Sequence, residues 1–261
     1  MSQDSLIILT FIGEAIFWLG AYFIVIRIGF KEKIHAMPIA AMCGNISWEI
    51  ILGIGLFPAC PVYWADCPST FMQVGTLAAA ALDGVIFFTI LRYGRSQFQL
   101  PWFRRHYHLI VLMAFGVAFL FIHGFMKEVF TRNIFQATVN GTIPPFLEDG
   151  LQGGIYTGWG LALMMGLLFI ALNTIRPKMQ GQSFYLALFM FLGNLSAFFF
   201  DMATMNQIPI LLLILVIPTL IINLLYVGLT YQQTFMIKEN PISLLLKQSS
   251  IFILFKQHFY L

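Results

Sequence analysis

Short polar segments cut this chain into seven long apolar runs, at about residues 5–29, 37–59, 69–92, 107–126, 151–175, 182–205 and 208–232. An α-helix rises 1.5 Å per residue, so each run is long enough to cross about 30 Å of hydrocarbon. Backbone N–H and C=O groups surrounded by lipid must pair within their own segment, which leaves helices as the spanning form. A soluble fold has no way to bury seven such runs. Only 10% of the residues are charged and 59% are hydrophobic, against about 25% charged in a typical soluble domain. The sequence therefore predicts an all-α, polytopic membrane protein with seven transmembrane helices. The first run starts at Ser5 with no basic segment before it, so it reads as a permanent span and not a cleaved signal.

The basic residues orient the bundle. Arg27, Lys31 and Lys33 follow the first run, Arg92, Arg95, Arg104 and Arg105 the third, and Arg176 and Lys178 the fifth. Lys238, Lys247 and Lys256 lie in the tail. These are twelve of the fourteen basic residues, and the opposite loops hold only Lys127 and Arg132. The positive-inside bias then places the N-terminus outside, or in a lumen, and the C-terminus in the cytoplasm. The expected organisation is a seven-helix catalytic domain over 1–232 and a cytoplasmic tail over 233–261. The apolar stretch from Ser249 to Leu261 is short enough to lie on a membrane surface. A bilayer is thus the first partner implied, of an endoplasmic reticulum or a bacterial plasma membrane. The net charge of +3 is spread over loops and forms no nucleic-acid footprint.

Cys43 lies within a run and reads as a packing residue. Cys60 and Cys67 flank a short loop and would pair if that loop faced an oxidising compartment; two free thiols are the other reading. No second cysteine pair stands at metal-site spacing, so no metal site is expected. The loop over 127–150 is the longest, falls on the outer side and is long enough to cover a cavity.

The chemistry-bearing residues lie inside the apolar runs. Glu14, Glu49, Asp83, His123 and Asp201 are ionisable, and no Lys or Arg accompanies the acids at mid-span. A carboxylic acid in hydrocarbon without a cation beside it favours its neutral, proton-donating form. Intramembrane ionisable residues face the bundle interior and mark functional sites. Asn45 stands one turn before Glu49 on the same face, with Trp48 beside it. Asp201 shares a face with Asn194 and Phe198, and Glu14 with Trp18 and Tyr22. Gln152, Tyr156 and Trp159 form a polar-aromatic stripe early in the fifth run. Acids set among aromatic rings suit a carbocation, because ring faces stabilise cations. The plainer reading, interhelical hydrogen bonding, applies most to Glu14 and Asp83, and His123 reads as structural or interfacial. The catalytic candidates are Glu49 and Asp201. The substrate-binding candidates are Asn45, Trp48, Asp83, Asn194, Phe198, Tyr156, Trp159, Glu14 and Trp18.

An Asp-rich motif for a magnesium diphosphate, a Walker loop, a dinucleotide fingerprint and a His-Glu-x-x-His pair are all missing from the sequence. The seventh run has no lysine for a retinal Schiff base. Mid-span acids equally suit a proton-coupled carrier or a small-molecule channel. Against that class stand the want of an inverted repeat and of a basic partner for the acids.

Asn-x-x-Trp-Glu in the second of seven runs, Asn45 to Glu49, resembles the membrane-bound terpene cyclases of fungal meroterpenoid and indole-diterpene pathways and their bacterial relatives. The late Asp201, in Phe-Phe-Phe-Asp-Met, fits that resemblance. It implies a non-metal cyclase without a cofactor, which cyclises a prenylated aromatic or indole substrate after protonating a terminal epoxide or an olefin. Glu49 would be the general acid, and Asp201 would assist protonation or stabilise the cation. An upstream prenyltransferase or epoxidase would supply the substrate.

Overall fold

The computed structural model describes residues 3–54, 70–126, 150–176, 179–204 and 208–236. Seven α-helices account for most of them: α1 (Gln3–Glu32), α2 (Ile39–Gly53), α3 (Thr70–Tyr93), α4 (Pro101–Phe125), α5 (Gly150–Ile175), α6 (Phe184–Thr204) and α7 (Ile210–Met236). A 3₁₀ turn, Gly94–Gln97, follows α3. No strand occurs among the described residues. Six of the helices are long and apolar enough to cross a membrane, and the chain is an integral multi-pass membrane protein.

The exception in length is α2, whose 15 residues end at Gly53, where the sequence predicts a run to residue 59. At 1.5 Å per residue α2 covers about 22 Å, so Asn45, Trp48 and Glu49 sit near its middle or towards its end. The fourth helix begins six residues earlier than predicted, because Pro101 occupies its first turn. There the missing N–H costs no hydrogen bond and φ is already helical. Cys60, Cys67, the loop over 127–149 and the tail beyond 236 lie outside the described residues.

The helices close a ring. α1 packs on α6, α6 on α7, α7 on α5, α5 on α2, α2 on α3 and α3 on α1, while α4 packs outside the ring against α2. The outer faces are apolar and exposed, as at Ile12, Ile16 and Phe23 of α1 and Leu112, Val117 and Leu120 of α4. The polar residues point inward: Asn45, Ser47, Glu49, Asp83, Asn194, Asp201 and Asn223 are buried. This is the reverse of a soluble protein and the arrangement expected when lipid is the solvent. Packing within the ring relies on glycines at close approaches. A Cβ on Gly44 of α2 would come within 2.6 Å of Leu161 of α5, and one on Gly53 within 2.8 Å of Leu77 of α3.

At the basic end of the bundle one side chain ties three connections together. Arg176 donates to Gln97 Oε1 at 2.6 Å and to His35 Nε2 at 2.9 Å. The imidazole stacks on Phe98 with an interplanar angle of 2°. Nearby, Gly181 N–H donates to Glu32 Oε2 at 2.9 Å. Burial, and then the adjacent guanidinium, lower the His35 pKa to about 3. Burial lowers that of Arg176 to about 10.

Candidate active site

A cavity of about 420 Å³ occupies the middle of the ring. α1, α2, α3, α5 and α6 line it, and α7 contributes no wall residue. Two groups of carboxyl side chains face one another across a predominantly apolar interior.

Glu49 on α2 anchors the first group. The Tyr22 hydroxyl donates to Glu49 Oε1. Asn45 Nδ2 lies 3.2 Å from the same oxygen, 2.9 Å from the Tyr22 hydroxyl and 2.7 Å from Asp83 Oδ2. The four side chains come from three helices and are all buried. An amide nitrogen carries two hydrogens. One serves Asp83, and the other is shared between Tyr22 and Glu49. Every donor therefore arrives at one oxygen of each acid. Glu49 Oε2 and Asp83 Oδ1 are buried without a partner among the described residues. These are the oxygens that can carry a carboxyl proton without displacing an existing hydrogen bond.

Asp201 on α6 forms the second group. Trp159 Nε1 donates to Asp201 Oδ2 at 2.7 Å, and Glu14 of α1 lies within electrostatic reach of Asp201. Glu14, Trp18 and Tyr22 follow one another at steps of four residues, so one stripe of α1 passes from the second group to the first. The rise between Glu14 and Tyr22 is about 12 Å. All three line the cavity.

Three indoles make up much of the wall. Trp18 lies against Gly193, where an added Cβ would be 3.0 Å from Trp18 Cδ1 and Nε1. Trp48 lies against Gly158, with the corresponding distance 3.1 Å to Cζ2. Its N–H is held by Gly154 O and Thr157 Oγ1, each at 3.1 Å. Trp159 is held by Asp201. Small residues thus bring ring faces into the cavity, while hydrogen bonds fix two of the three rings. Asn194 also lines the cavity, and its Nδ2 is buried without a partner among the described residues.

The structure places the sequence candidates in two sets. Glu14, Trp18, Asn45, Trp48, Glu49, Trp159, Asn194 and Asp201 line one cavity. Asp83 stands behind Asn45, off the cavity wall, and its Oδ2 accepts from that amide. Tyr156 and Phe198 are also off the wall and pack with Leu212 and Val216 of α7. Trp159, three positions on, belongs to the same cluster and in addition reaches Asp201 of α6. The Gln152 side chain lies outside what is described. His123 stacks on Phe119 at 6.3 Å and belongs to no carboxyl group. Tyr22 was absent from the sequence candidates, although it touches Glu49 directly. The signal for it is its place one turn beyond Trp18 on the Glu14 stripe. Among the described residues no three His, Cys, Asp or Glu side chains gather into a set that could hold a metal ion.

The profile of the Pyr4-like transmembrane terpene cyclases matches residues 2–236, which takes in every described helix. The Pyr4-family terpene cyclase mfmH of Annulohypoxylon moriforme is 22% identical over 197 residues, or 75% of this chain and 68% of the relative. The terpene cyclase macJ of Penicillium terrestre is 25% identical over 185 residues, or 70% of this chain and 62% of the relative. The chain thus spans about two thirds of the length of these relatives. No solved structure matches it. An all-helical membrane bundle, an interior cavity walled by indoles with carboxyl groups at two places, and a family match over nearly the whole length agree: the chain belongs to the Pyr4-like transmembrane terpene cyclases.

Proposed function

We propose that the chain catalyses a proton-initiated cyclisation of a prenylated aromatic or indole substrate, with Glu49 as the general acid. The observation that carries this reading is the shared cavity, in which Glu49 and Asp201 face a hydrocarbon interior walled by Trp18, Trp48 and Trp159. Glu49 transfers its proton to a terminal epoxide oxygen or to an olefin. The resulting cation is attacked in turn by the double bonds of the folded chain, each attack making one C–C bond and moving the charge one ring further. Loss of a proton, or capture by an internal nucleophile, ends the sequence. The product is an isomer of the substrate, and no electron is gained or lost.

The chain's residues have separate tasks in this scheme. Tyr22 and Asn45 donate to Glu49 Oε1, so they hold the acid and stabilise the carboxylate that the proton leaves behind. The three indole faces stabilise the travelling positive charge. Asp201, held by Trp159, places a carboxyl group where charge accumulates, either assisting protonation or stabilising the cation. The apolar walls exclude water, which would quench the cation before the rings close. The positive-inside bias puts the Arg176 end of the bundle in the cytoplasm.

The test is a product assay. Membranes containing the chain are given a prenylated phenol or indole, with and without a terminal epoxide, and extracts are read by mass spectrometry and NMR. An isomeric product with new rings is expected, and Glu49→Gln is expected to abolish it while leaving the protein folded. Full cyclisation by a well-folded Glu49→Gln variant would remove Glu49 from its role. Conversion of none of the prenylated head groups offered, by a folded wild-type chain, would refute the reading.

A further inference from the structure

The cavity is not closed on all sides, and the position of its mouth follows from which of its lining residues are also on the outside. Among the described lining residues only Leu19, Gly75 and Ala78 are exposed, Leu19 at 39%. All three lie at one seam, between the N-terminal halves of α1 and α3. The two helices are packed together at their other ends. A Cβ on Gly29 would come within 3.1 Å of Thr89 Oγ1, and the rings of Phe30 and Phe88 are 6.4 Å apart. At Gly75 the same test meets nothing within 4 Å among the described residues. The close contact at Gly29 and Thr89 is therefore not repeated at Gly75, and this looser part of the seam borders the cavity. Small side chains line it, Ala15 from α1 and Thr76, Ala78 and Ala79 from α3.

The outer surface around this gap is hydrocarbon-like. Ile12, Ile16 and Phe23 flank it on α1, and Val74 and Val85 on α3, all exposed. Among the described residues the mouth is bordered by apolar side chains.

We propose that the seam between the N-terminal halves of α1 and α3 is a lateral portal, through which an isoprenoid chain dissolved in the bilayer enters the cavity. This rests on the cyclase reading for the identity of what enters, and on the geometry alone for the position of the opening. The physical reason for a sideways route is partition. Every CH₂ that leaves water for the bilayer favours the membrane, so a prenylated substrate spends nearly all its time among acyl chains. A mouth opening to water would oblige it to leave them first. The prenyl tail enters across Gly75 and Ala78, and passes Trp18 on its way to Glu49.

The test has two parts. In the first, Ala78→Cys carries a nitroxide label, in a chain with Cys60 and Cys67 replaced by Ser, reconstituted into phosphatidylcholine vesicles. The label is expected to collide with dissolved oxygen and not with a water-soluble nickel chelate. Collision with the chelate would overturn the proposal, and so would a label shielded from both. In the second, Gly75→Trp is compared with Gly84→Trp, which lies on the same helix at an exposed position, off the cavity wall and likewise with nothing within 4 Å. With a prenylated phenol supplied in the vesicles, Gly75→Trp is expected to lower kcat/KM about ten-fold or more while kcat is retained, the signature of impaired entry rather than impaired chemistry. Gly84→Trp is expected to change neither. Equal kinetics for the two variants would overturn the portal. An inactive wild-type chain would count against the cyclase reading alone, because the label reports the mouth without turnover.

Discussion

The hydrogen bond between Asn45 and Asp83 can be isolated by a double-mutant cycle. Leu is close to both side chains in size and offers no polar atom, so Asn45→Leu, Asp83→Leu and the double variant remove the groups without opening a large cavity. Asp83 is fully buried, and Asn45 Nδ2 at 2.7 Å is the hydrogen-bond donor seen on it. Asn45→Leu therefore loses that bond and leaves both oxygens of a buried acid unsatisfied. At about 1 kcal/mol for the bond and about 1–3 kcal/mol for the stranded acceptor, the expected destabilisation is about 2–4 kcal/mol. Asp83→Leu costs less, about 1 kcal/mol, because the Asn45 N–H groups still reach Tyr22 and Glu49. In the double variant no acid is left stranded. It should be more stable than the sum of the single effects predicts, by about 1–3 kcal/mol. The measurement is unfolding in mixed micelles as the denaturing detergent fraction is raised. Additivity within about 0.5 kcal/mol would show that the two side chains do not interact, and the account of how Asn45 is held would fail.

Trp159→Phe keeps a ring face in the cavity and removes the N–H donated to Asp201. Turnover should fall about 10–100-fold, the equivalent of about 1.4–2.8 kcal/mol, and unchanged turnover would detach Asp201 from the reaction. Gly193→Ala would bring a methyl group to 3.0 Å from Trp18 and displace that indole. The expected result is an altered ratio of cyclised products, read by gas chromatography, at a stability cost of about 1–3 kcal/mol. His35 supplies a pH dependence of stability. Its pKa is lowered from 6.5 to about 3 on folding, so between those values the unfolded chain holds one more proton and stability falls as pH falls. From pH 6.5 to 5 the loss is about 2 kcal/mol. The melting temperature of the wild-type chain in detergent should drop more steeply over that interval than that of His35→Gln, and parallel profiles would refute the assignment.

Much of the site was legible in the residues because lipid makes the inference sharp. An acid at mid-span costs so much that its place facing the bundle interior follows from its presence. Glu14, Glu49 and Asp201 were found that way, and the helical steps from Glu14 to Trp18 and from Asn45 to Glu49 identify shared faces. Tyr22 was placed on the Glu14 and Trp18 face but not among the site candidates, because a tyrosine in an apolar run is unremarkable until a neighbouring helix sets a carboxyl group against its hydroxyl. Asp83 and Tyr156 show the converse, since the structure sets both off the cavity wall. Both lie on inward faces, yet an inward face in a ring of helices has a front and a back, and these two residues point to the back.

By itself the sequence determined the helical character, the inward polar faces and the basic end of the bundle. Each follows from a local rule: the length of an apolar run, the period of a helix and the cost of burying charge in hydrocarbon. Only the tertiary structure decided which faces meet. The order of helices around the ring, the glycine contacts that set Trp18 and Trp48 against their neighbours, and the gap between α1 and α3 depend on residues far apart in the chain. Helix association in lipid is governed by side-chain packing rather than by hydrophobicity, since acyl tails are as apolar as the helices themselves. For that reason hydropathy places the helices in the membrane and leaves their partners undetermined.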